Sequence, residues 1–253
     1  MTRRYEGLTD EFDDRLAEID HYQRYPEMMV AVGAHYGRAL LRVLVLEESH
    51  YLDEAEPSNT ASLWYVQRGP LRPNSVKNIT TRSVFDNAIR GRARSKSKMI
   101  FYALASALDE CRVAPHDAIS PLQAIAYMNF FQRPAGRKGK SILVRPEDVA
   151  ASVQVVDAVV ATLQPHLVLF ATRLGWRHAH LANVPSRFSS KDVQALCVPH
   201  PATSWWNRPS RPMQGKTGRQ RLIEVVRTAR GAAAAAPRTP LAQTESETEA
   251  MAC

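Results

Sequence analysis

A short apolar run that leads directly into a polar cluster is the strongest constraint on this chain. Residues 41–46 are rich in Leu and Val, which is typical of a strand buried on both faces of a parallel sheet. Two carboxylates, a hydroxyl, an imidazole and a phenol follow without a spacer at positions 47–51. In open α/β sheets, ligands bind beyond the carboxyl ends of the strands. Taken alone, the stretch fits the floor of a binding site and a solvated polar loop equally well.

Composition narrows the class of protein. The chain has 253 residues, 45% of them hydrophobic, which suits one α/β domain with appendages or at most two small domains. We expect no membrane span, because no apolar run approaches the roughly 18 residues that a transmembrane helix needs. The first residues lack the apolar stretch of a signal peptide, so the cytoplasm is the expected compartment. Cys111, Cys197 and Cys253 are far apart, which argues against a disulfide framework and against a zinc or iron–sulfur site.

The charge balance indicates a polyanionic partner. The net charge is +8, and the last 23 residues carry three Glu and one Arg, so the body of the chain is more basic than the whole. Basic side chains release condensed counterions when they neutralise phosphates, so a basic body of this size is compatible with a polyanionic partner such as a nucleic acid. Many basic proteins bind no nucleic acid, and charge alone raises the odds only modestly.

The order of apolar patterns predicts an α/β fold with a parallel sheet covered on both sides. We expect strands over 41–46, 125–131, 167–170 and 193–198, with helices over 1–24, 80–110, 146–163, 174–181 and 220–230. Residues 1–39 are interpreted as a helical extension that packs on the body. Residues 40–230 form the body itself, and residues 231–253 are interpreted as a disordered tail.

Three predicted strand ends carry polar side chains that should meet at one edge of the sheet. They are the Glu48-Ser49-His50-Tyr51 segment, then Asn129 with Gln132, and then His200 with Thr203 and Ser204. No Gly-rich phosphate loop and no nucleophile-elbow motif is present, which disfavours dinucleotide-binding, P-loop and α/β-hydrolase chemistry. A metal bound by Glu48, His50 and His200 is conceivable, but the spacing does not require one. We predict neither a metal nor a cofactor.

These segments, taken in order, resemble the uracil-DNA glycosylase superfamily, in particular members with Glu-Ser-His-Tyr after the first core strand. The resemblance is carried by residues 46–51, 81–84, 127–132, 145–148, 165–170 and 199–203. It implies a three-layer α/β/α sandwich around a four-stranded parallel sheet, with a DNA groove at the carboxyl edge of the strands. The implied activity is excision of uracil or a related deaminated base, by a protein expected to act as a monomer.

The resemblance also implies roles for individual residues. Glu48 would position a water or stabilise the sugar cation, with Ser49, His50 and Tyr51 beside it. Asn129 would read the pyrimidine edge, because an amide both donates and accepts hydrogen bonds. His200 would donate a hydrogen bond to the base O2 as negative charge builds on the leaving group.

Further residues are expected to contact the substrate or the DNA. Trp64 is expected to stack on the extruded base and Gln132 to line the base pocket, while Trp205 or Arg208 is expected to enter the vacated stack. The remaining expected DNA contacts are Arg90, Arg92, Arg94, Thr203 and Ser204.

Two departures from the superfamily pattern keep other functions open. Glu47 stands where many members have Gly, and His50 stands where the well-studied members have Pro. A second carboxylate at position 47 could repel phosphate or reshape the pocket. The second hypothesis is therefore a protein of the same fold that has lost turnover and binds DNA through its basic surface. A hydrolase of small nucleosides that uses Glu48 is the third hypothesis.

Overall fold

The computed structural model of the chain describes residues 5–52, 56–93, 95–136, 140–189 and 192–235, and of residues 95–98 and 235 the backbone alone. Within these ranges one sheet of five strands forms the centre of the fold. The strands in chain order are β1 (Ala31–Val32), β2 (Val43–Glu47), β3 (Ile125–Asn129), β4 (Leu167–Phe170) and β5 (Gln194–Cys197).

The sheet order is β1-β3-β2-β4-β5, and it corrects the expected four-stranded sheet. Strands β2 to β5 run parallel, as predicted, whereas β1 is an additional edge strand that pairs antiparallel with β3. The sequence pattern missed β1 because it has only two residues, in a stretch whose apolar positions also fit a helix. Strand β2 lies at the centre, with β3 and β4 on either side of it.

Helices fill the connections between the strands. They are α1 (Asp13–Ala17), α2 (Asp20–Arg24), α3 (Ala61–Trp64), α4 (Pro73–Asn78), α5 (Thr81–Ile89), α6 (Ser95–Glu110), α7 (Pro146–Leu163), α8 (Arg173–Leu181), α9 (Val184–Ser189) and α10 (Gly218–Ala235). Short 3-10 turns lie at Pro26–Met28, Pro121–Ala124, Ser204–Trp206 and Arg211–Met213. No helix among the described residues has the length and hydropathy that a membrane crossing requires.

Both faces of the sheet are covered by helices. Side chains alternate along a strand, so Val43 and Val45 of β2 face α5, α6 and α10, while Leu44 and Leu46 face α7 and α8. Strands β2, β3 and β4 are buried at every position. Their continuous apolar sequences are therefore the pattern expected of a parallel sheet with helices on both sides.

The N-terminal segment joins the core. The expected leader helix over 1–24 is two short helices, α1 and α2, and Phe12 and Leu16 are buried on the α7 side of the sheet. Arg82 of α5 forms a partly buried ion pair with Asp13, 2.5 Å from Nη2 to Oδ1. Residues 5–39 thus supply an edge strand and core side chains as well as helices.

The C-terminal helix extends beyond its expected end. Helix α10 continues through the alanine-rich stretch to Ala235, whereas the tail was predicted to begin at residue 231. Alanine is the best helix former, so four more residues continue the helix after Gly231. Residues 236–253 lie outside the described part of the chain.

Candidate active site

A cleft of about 1170 Å³ opens at the carboxyl edge of the parallel strands. It lies at the end of β2, where the chain order of the sheet changes direction and where open α/β sheets bind their ligands. Its floor contains all four members of the predicted segment Glu48-Ser49-His50-Tyr51, together with Asn129, His200 and Thr203. The central expectation of the sequence analysis, that three strand ends meet, is confirmed.

Backbone hydrogen bonds hold the floor segment in place. The amide of Phe130 donates to the carbonyl of Glu47 (2.7 Å) and the amide of Phe131 to that of Glu48 (2.9 Å). Further along, the amide of Ala135 donates to the carbonyl of His50 (2.8 Å). The polar segment is therefore an extension of the β2–β3 pairing, which gives its side chains a fixed direction.

Glu47 binds His200 across the floor of the cleft. Oε2 of Glu47 lies 2.7 Å from Nε2 of His200, and the Glu47 residue is only 5% exposed. The contact arises because Glu47 shares a sheet face with Val45, and Val198, two residues before His200, is buried on that same face. Sequence reasoning treated Glu47 as a departure from a family pattern and did not predict this contact.

The second ring nitrogen of His200 is also engaged. The backbone amide of Ala202 donates to Nδ1 over 3.1 Å, so the proton of a neutral ring lies on Nε2 and points at Glu47. Burial lowers the pKa of His200, but the hydrogen bond to Glu47 and the charges of Glu47 and Glu48 outweigh it, so the pKa is raised. Uptake of a second proton at Nδ1 requires the contact with Ala202 to break.

Three buried polar atoms of the floor have no hydrogen-bond partner within the described residues: Oε1 of Glu47, Oε1 of Glu48 and Oγ of Ser49. The other oxygen of Glu48 accepts a hydrogen bond from Ser141 Oγ at 3.3 Å. Buried polar groups in folded proteins are almost always paired, so a cluster of unpaired ones inside a cleft indicates a place for a ligand or water.

Asn129 ends β3 beside Glu47, its partner in the β2–β3 register. The residue is 6% exposed and lines the cleft, and its side-chain amide forms no hydrogen bond with any described residue. The backbone carbonyl is already occupied by Nε2 of Gln132 at 2.6 Å. The amide is therefore available to both a donor and an acceptor on a ligand.

His50 and Tyr51 differ in character. Burial lowers the pKa of His50 to about 4, so the ring is neutral, and its Nε2 lies 2.9 Å from Oγ1 of Thr81. Tyr51 is 39% exposed at the rim of the cleft. Burial and the nearby charges of Glu48 and Glu47 raise the pKa of its phenol. His50 thus ties the floor to α5, and Tyr51 presents its ring to the cleft.

Three residues predicted to contact the substrate or the DNA have other partners in the structure. Trp64 is fully buried, stacks on Tyr25 with 4.3 Å between ring centroids, and donates from Nε1 to the carbonyl of Gln132 (2.8 Å), so it has no free face for a base. Gln132 is 1% exposed and caps the end of β3 with its own amide. Arg90 is paired with Asp86 and Glu6 and does not line the cleft.

The remaining expected DNA contacts divide into two groups. Thr203 and Trp205 line the cleft, and the indole of Trp205 is 49% exposed. Arg92, Ser204 and Arg208 are exposed but do not line it. Arg94 lies outside the described residues.

The structure adds lining residues that sequence reasoning missed: Phe101, Tyr127, Thr172, Arg173 and Trp176. Arg211 lines the cleft as well. Tyr127 looks like a core residue of β3, and only its position two residues before Asn129 places it on the cleft side. Arg173 follows the end of β4, so the strand-end argument could have found it. Neither Arg173 nor Arg211 forms an ion pair with a described residue.

No group of three His, Cys, Asp or Glu residues in the described ranges is arranged to hold a metal ion. No protein-family model matches the chain, and no curated protein matches it either.

Proposed function

We propose that this protein hydrolyses the N-glycosidic bond of uracil or a related deaminated base in DNA, on a uracil-DNA glycosylase-like α/β/α fold. The observation that carries the proposal is the meeting of Glu48, Asn129 and His200 in one cleft beyond the strand ends. Unpaired carboxylate oxygens lie on its floor. Base excision needs a carboxylate near the sugar, an amide for the base edge and a donor for the leaving group.

Asn129 would recognise the extruded base. A free amide accepts from the N3–H of uracil and donates to its O4, so a single side chain satisfies both groups. No described residue forms a hydrogen bond with the side-chain amide, and the backbone of Asn129 is fixed by the pairing of β3 with β2. Recognition of this kind needs the base outside the helical stack, where its edge is accessible.

Glu48 would act on the sugar and on the attacking water. As the glycosidic bond breaks, its electron pair moves to the base nitrogen and C1′ becomes cationic. A carboxylate oxygen that is buried and unpaired stabilises that cation and accepts the proton of the incoming water. The Ser141 hydroxyl on the second oxygen orients the carboxylate.

His200 would stabilise the leaving base. Its Nε2–H donates to the base O2 once it has turned away from Glu47, its partner in this structure. Arg173 and Arg211 at the cleft, with Thr203 and Trp205 beside them, would contact the DNA on either side of the extruded nucleotide.

The test is incubation with a labelled oligonucleotide that carries one uracil, in single- and double-stranded form, followed by alkaline cleavage. We expect a cut at the uracil that is lost by orders of magnitude in Asn129→Asp and His200→Ala. Asn183→Asp, at an exposed position in the turn between α8 and α9 and outside the cleft, is the matched control for the amide change. Full activity in both cleft variants would contradict the proposed roles.

A second candidate is a DNA-binding protein of the same fold without turnover. It is favoured by the engagement of His200 with Glu47 and Ala202, which leaves neither ring nitrogen free for a base. Steeply salt-dependent binding without any base release would identify it.

A further inference from the structure

A uracil bound in the cleft would not account for one polar group of its floor, the carboxylate of Glu47. Its edge presents two carbonyl acceptors and a single N–H donor, and Asn129 would satisfy that donor. Glu47 is 5% exposed, and its Oε1 is buried without a partner among the described residues. A carboxylate oxygen is an acceptor only, so it repels the carbonyls of uracil and attracts hydrogen-bond donors or positive charge.

The hydrogen bonds of His200 also favour a base other than uracil. Uracil departs as an anion and needs a donor aimed at its O2. Here Nε2–H of His200 donates to Glu47, and Nδ1 accepts from Ala202. Excision of uracil must therefore break a short contact to a buried carboxylate, whereas a base that departs as a neutral molecule needs no such donor.

The walls of the cleft suit a flat cation. Tyr127 lines it and is held face to face with Phe85, 5.1 Å between ring centroids at 6°, and edge-on by Phe101. Trp176 and Tyr51 lie on the same cleft, whose volume of about 1170 Å³ leaves room for a purine. Aromatic rings with nearby carboxylates attract delocalised cations through ring quadrupoles and direct charge.

We propose that the cleft excises N-alkylated, positively charged purines, with Glu47 as the residue that selects for the charge. The inference rests on the proposed base-excision activity and extends its substrate class. The glycosidic bond breaks, its electron pair neutralises the cationic purine ring, and the purine leaves uncharged. Water then attacks the C1′ cation and gives its proton to Glu48, so His200 stays on Glu47 throughout.

The experiment compares two duplexes of one sequence, one with a single N7-methylguanine and one with a single uracil. Abasic sites are revealed by an amine at neutral pH, and an enzyme-free sample corrects for spontaneous base loss. We expect release of N7-methylguanine that falls about tenfold or more in Glu47→Gln, since the negative charge that attracts the cationic purine is removed. Uracil release should be unchanged or raised. Glu110→Gln, the same change at an ion-paired glutamate outside the cleft, should alter neither.

The outcomes separate this inference from the proposed function. Release of uracil but not of N7-methylguanine would overturn the inference and leave base excision standing, and release of neither would overturn both. Equal rates of N7-methylguanine release by wild type and Glu47→Gln would show that Glu47 does not select for the charge of the purine. A measurement without catalysis uses the tryptophans of the cleft, Trp176 and Trp205. Their fluorescence should be quenched by free N7-methylguanosine at lower concentration than by guanosine, and equal quenching would also overturn the inference.

Discussion

Glu47, at the end of β2, and His200, three residues beyond the end of β5, are joined across the carboxyl edge of the sheet by a 2.7 Å contact between Oε2 and Nε2. Glu47 is buried and His200 is half-buried, and the hydrogen bond and charge of Glu47 raise the pKa of His200 against the opposing effect of burial. A raised histidine pKa means that the contact stabilises the fold fully below the unfolded value of 6.5. That stabilisation is lost as pH rises through the folded value.

Substitution Glu47→Gln tests this coupling directly. The amide oxygen still accepts from Nε2–H, but the negative charge is gone, so the pKa of His200 should fall relative to wild type. The measurement is a pH titration of the histidine ring signals by NMR, with His200→Gln to assign the resonance. An unchanged pKa would show that the carboxylate does not act on the ring in solution.

Glu48→Gln should lower the rate of base release in single-turnover assays by about 10² or more, since one charged group that stabilises the transition state is removed. Substrate binding should change little, because the interaction with the sugar cation forms only as the bond breaks. Glu224→Gln, an exposed and ion-paired glutamate on α10, is the matched control. A rate equal to wild type would exclude Glu48 as the carboxylate that acts on the sugar.

Arg173→Gln and Arg211→Gln should weaken binding of an oligonucleotide without uracil. Each arginine lines the cleft without an ion-pair partner in the described part of the chain, and each neutralised phosphate contributes about one to the slope of log affinity against log salt. The measurement is fluorescence anisotropy at several salt concentrations. Arg227→Gln, whose arginine pairs with Glu110 away from the cleft, should leave the slope unchanged. Equal slopes in all variants would place the DNA contact elsewhere.

The sequence predicted the strands whose own residues carry a clear apolar pattern. It did not predict features that depend on contacts with residues distant in the chain. Strands were predicted over 41–46 and 167–170 because a continuous apolar run needs burial on both faces, and β2 (Val43–Glu47) and β4 (Leu167–Phe170) lie there. Strand β1 was missed because two residues carry no period, and its strand state depends on pairing with β3. The Glu47–His200 contact was missed for a related reason. Glu47 and His200 are far apart in sequence and meet only because the order of the strands brings the ends of β2 and β5 to one edge of the sheet.

Acid should destabilise the fold through two buried neutral histidines. Burial, with a smaller contribution from the charge of Arg24, lowers the pKa of His21 to about 3, and burial lowers that of His50 to about 4. The unfolded chain binds these protons near pH 6.5 while the folded chain does not. Each residue therefore removes up to about 1.4 kcal/mol of unfolding free energy per pH unit as the pH falls from 6.5 toward its folded pKa.

Substitution His21→Phe isolates one of these contributions. Both ring nitrogens of His21 are buried without a partner in the described residues, and its neighbours include Tyr25 and Tyr65, so a phenyl ring suits the site. Urea unfolding at pH 7 and at pH 5 should show a smaller loss of stability in the variant than in wild type. His116→Gln, at an exposed position, should show the wild-type loss. Identical pH dependence in all three proteins would exclude His21 as a source of acid sensitivity.

Substitution by alanine should lower stability at Trp64 and oligonucleotide binding at Trp205. Trp64→Ala removes a fully buried indole that stacks on Tyr25 and donates to the Gln132 carbonyl, so the free energy of unfolding should fall by about 3–5 kcal/mol. Base release per folded molecule should stay at the wild-type level, because no face of Trp64 reaches the cleft.

Trp205→Ala should leave stability within about 0.5 kcal/mol of wild type, since the side chain is half exposed, yet weaken oligonucleotide binding. Urea unfolding measures the stability of both variants, and fluorescence anisotropy measures their binding of the oligonucleotide. A Trp64 variant that is as stable as wild type but deficient in base release would restore the base-stacking role. Unaltered binding by Trp205→Ala would remove that residue from the DNA contact.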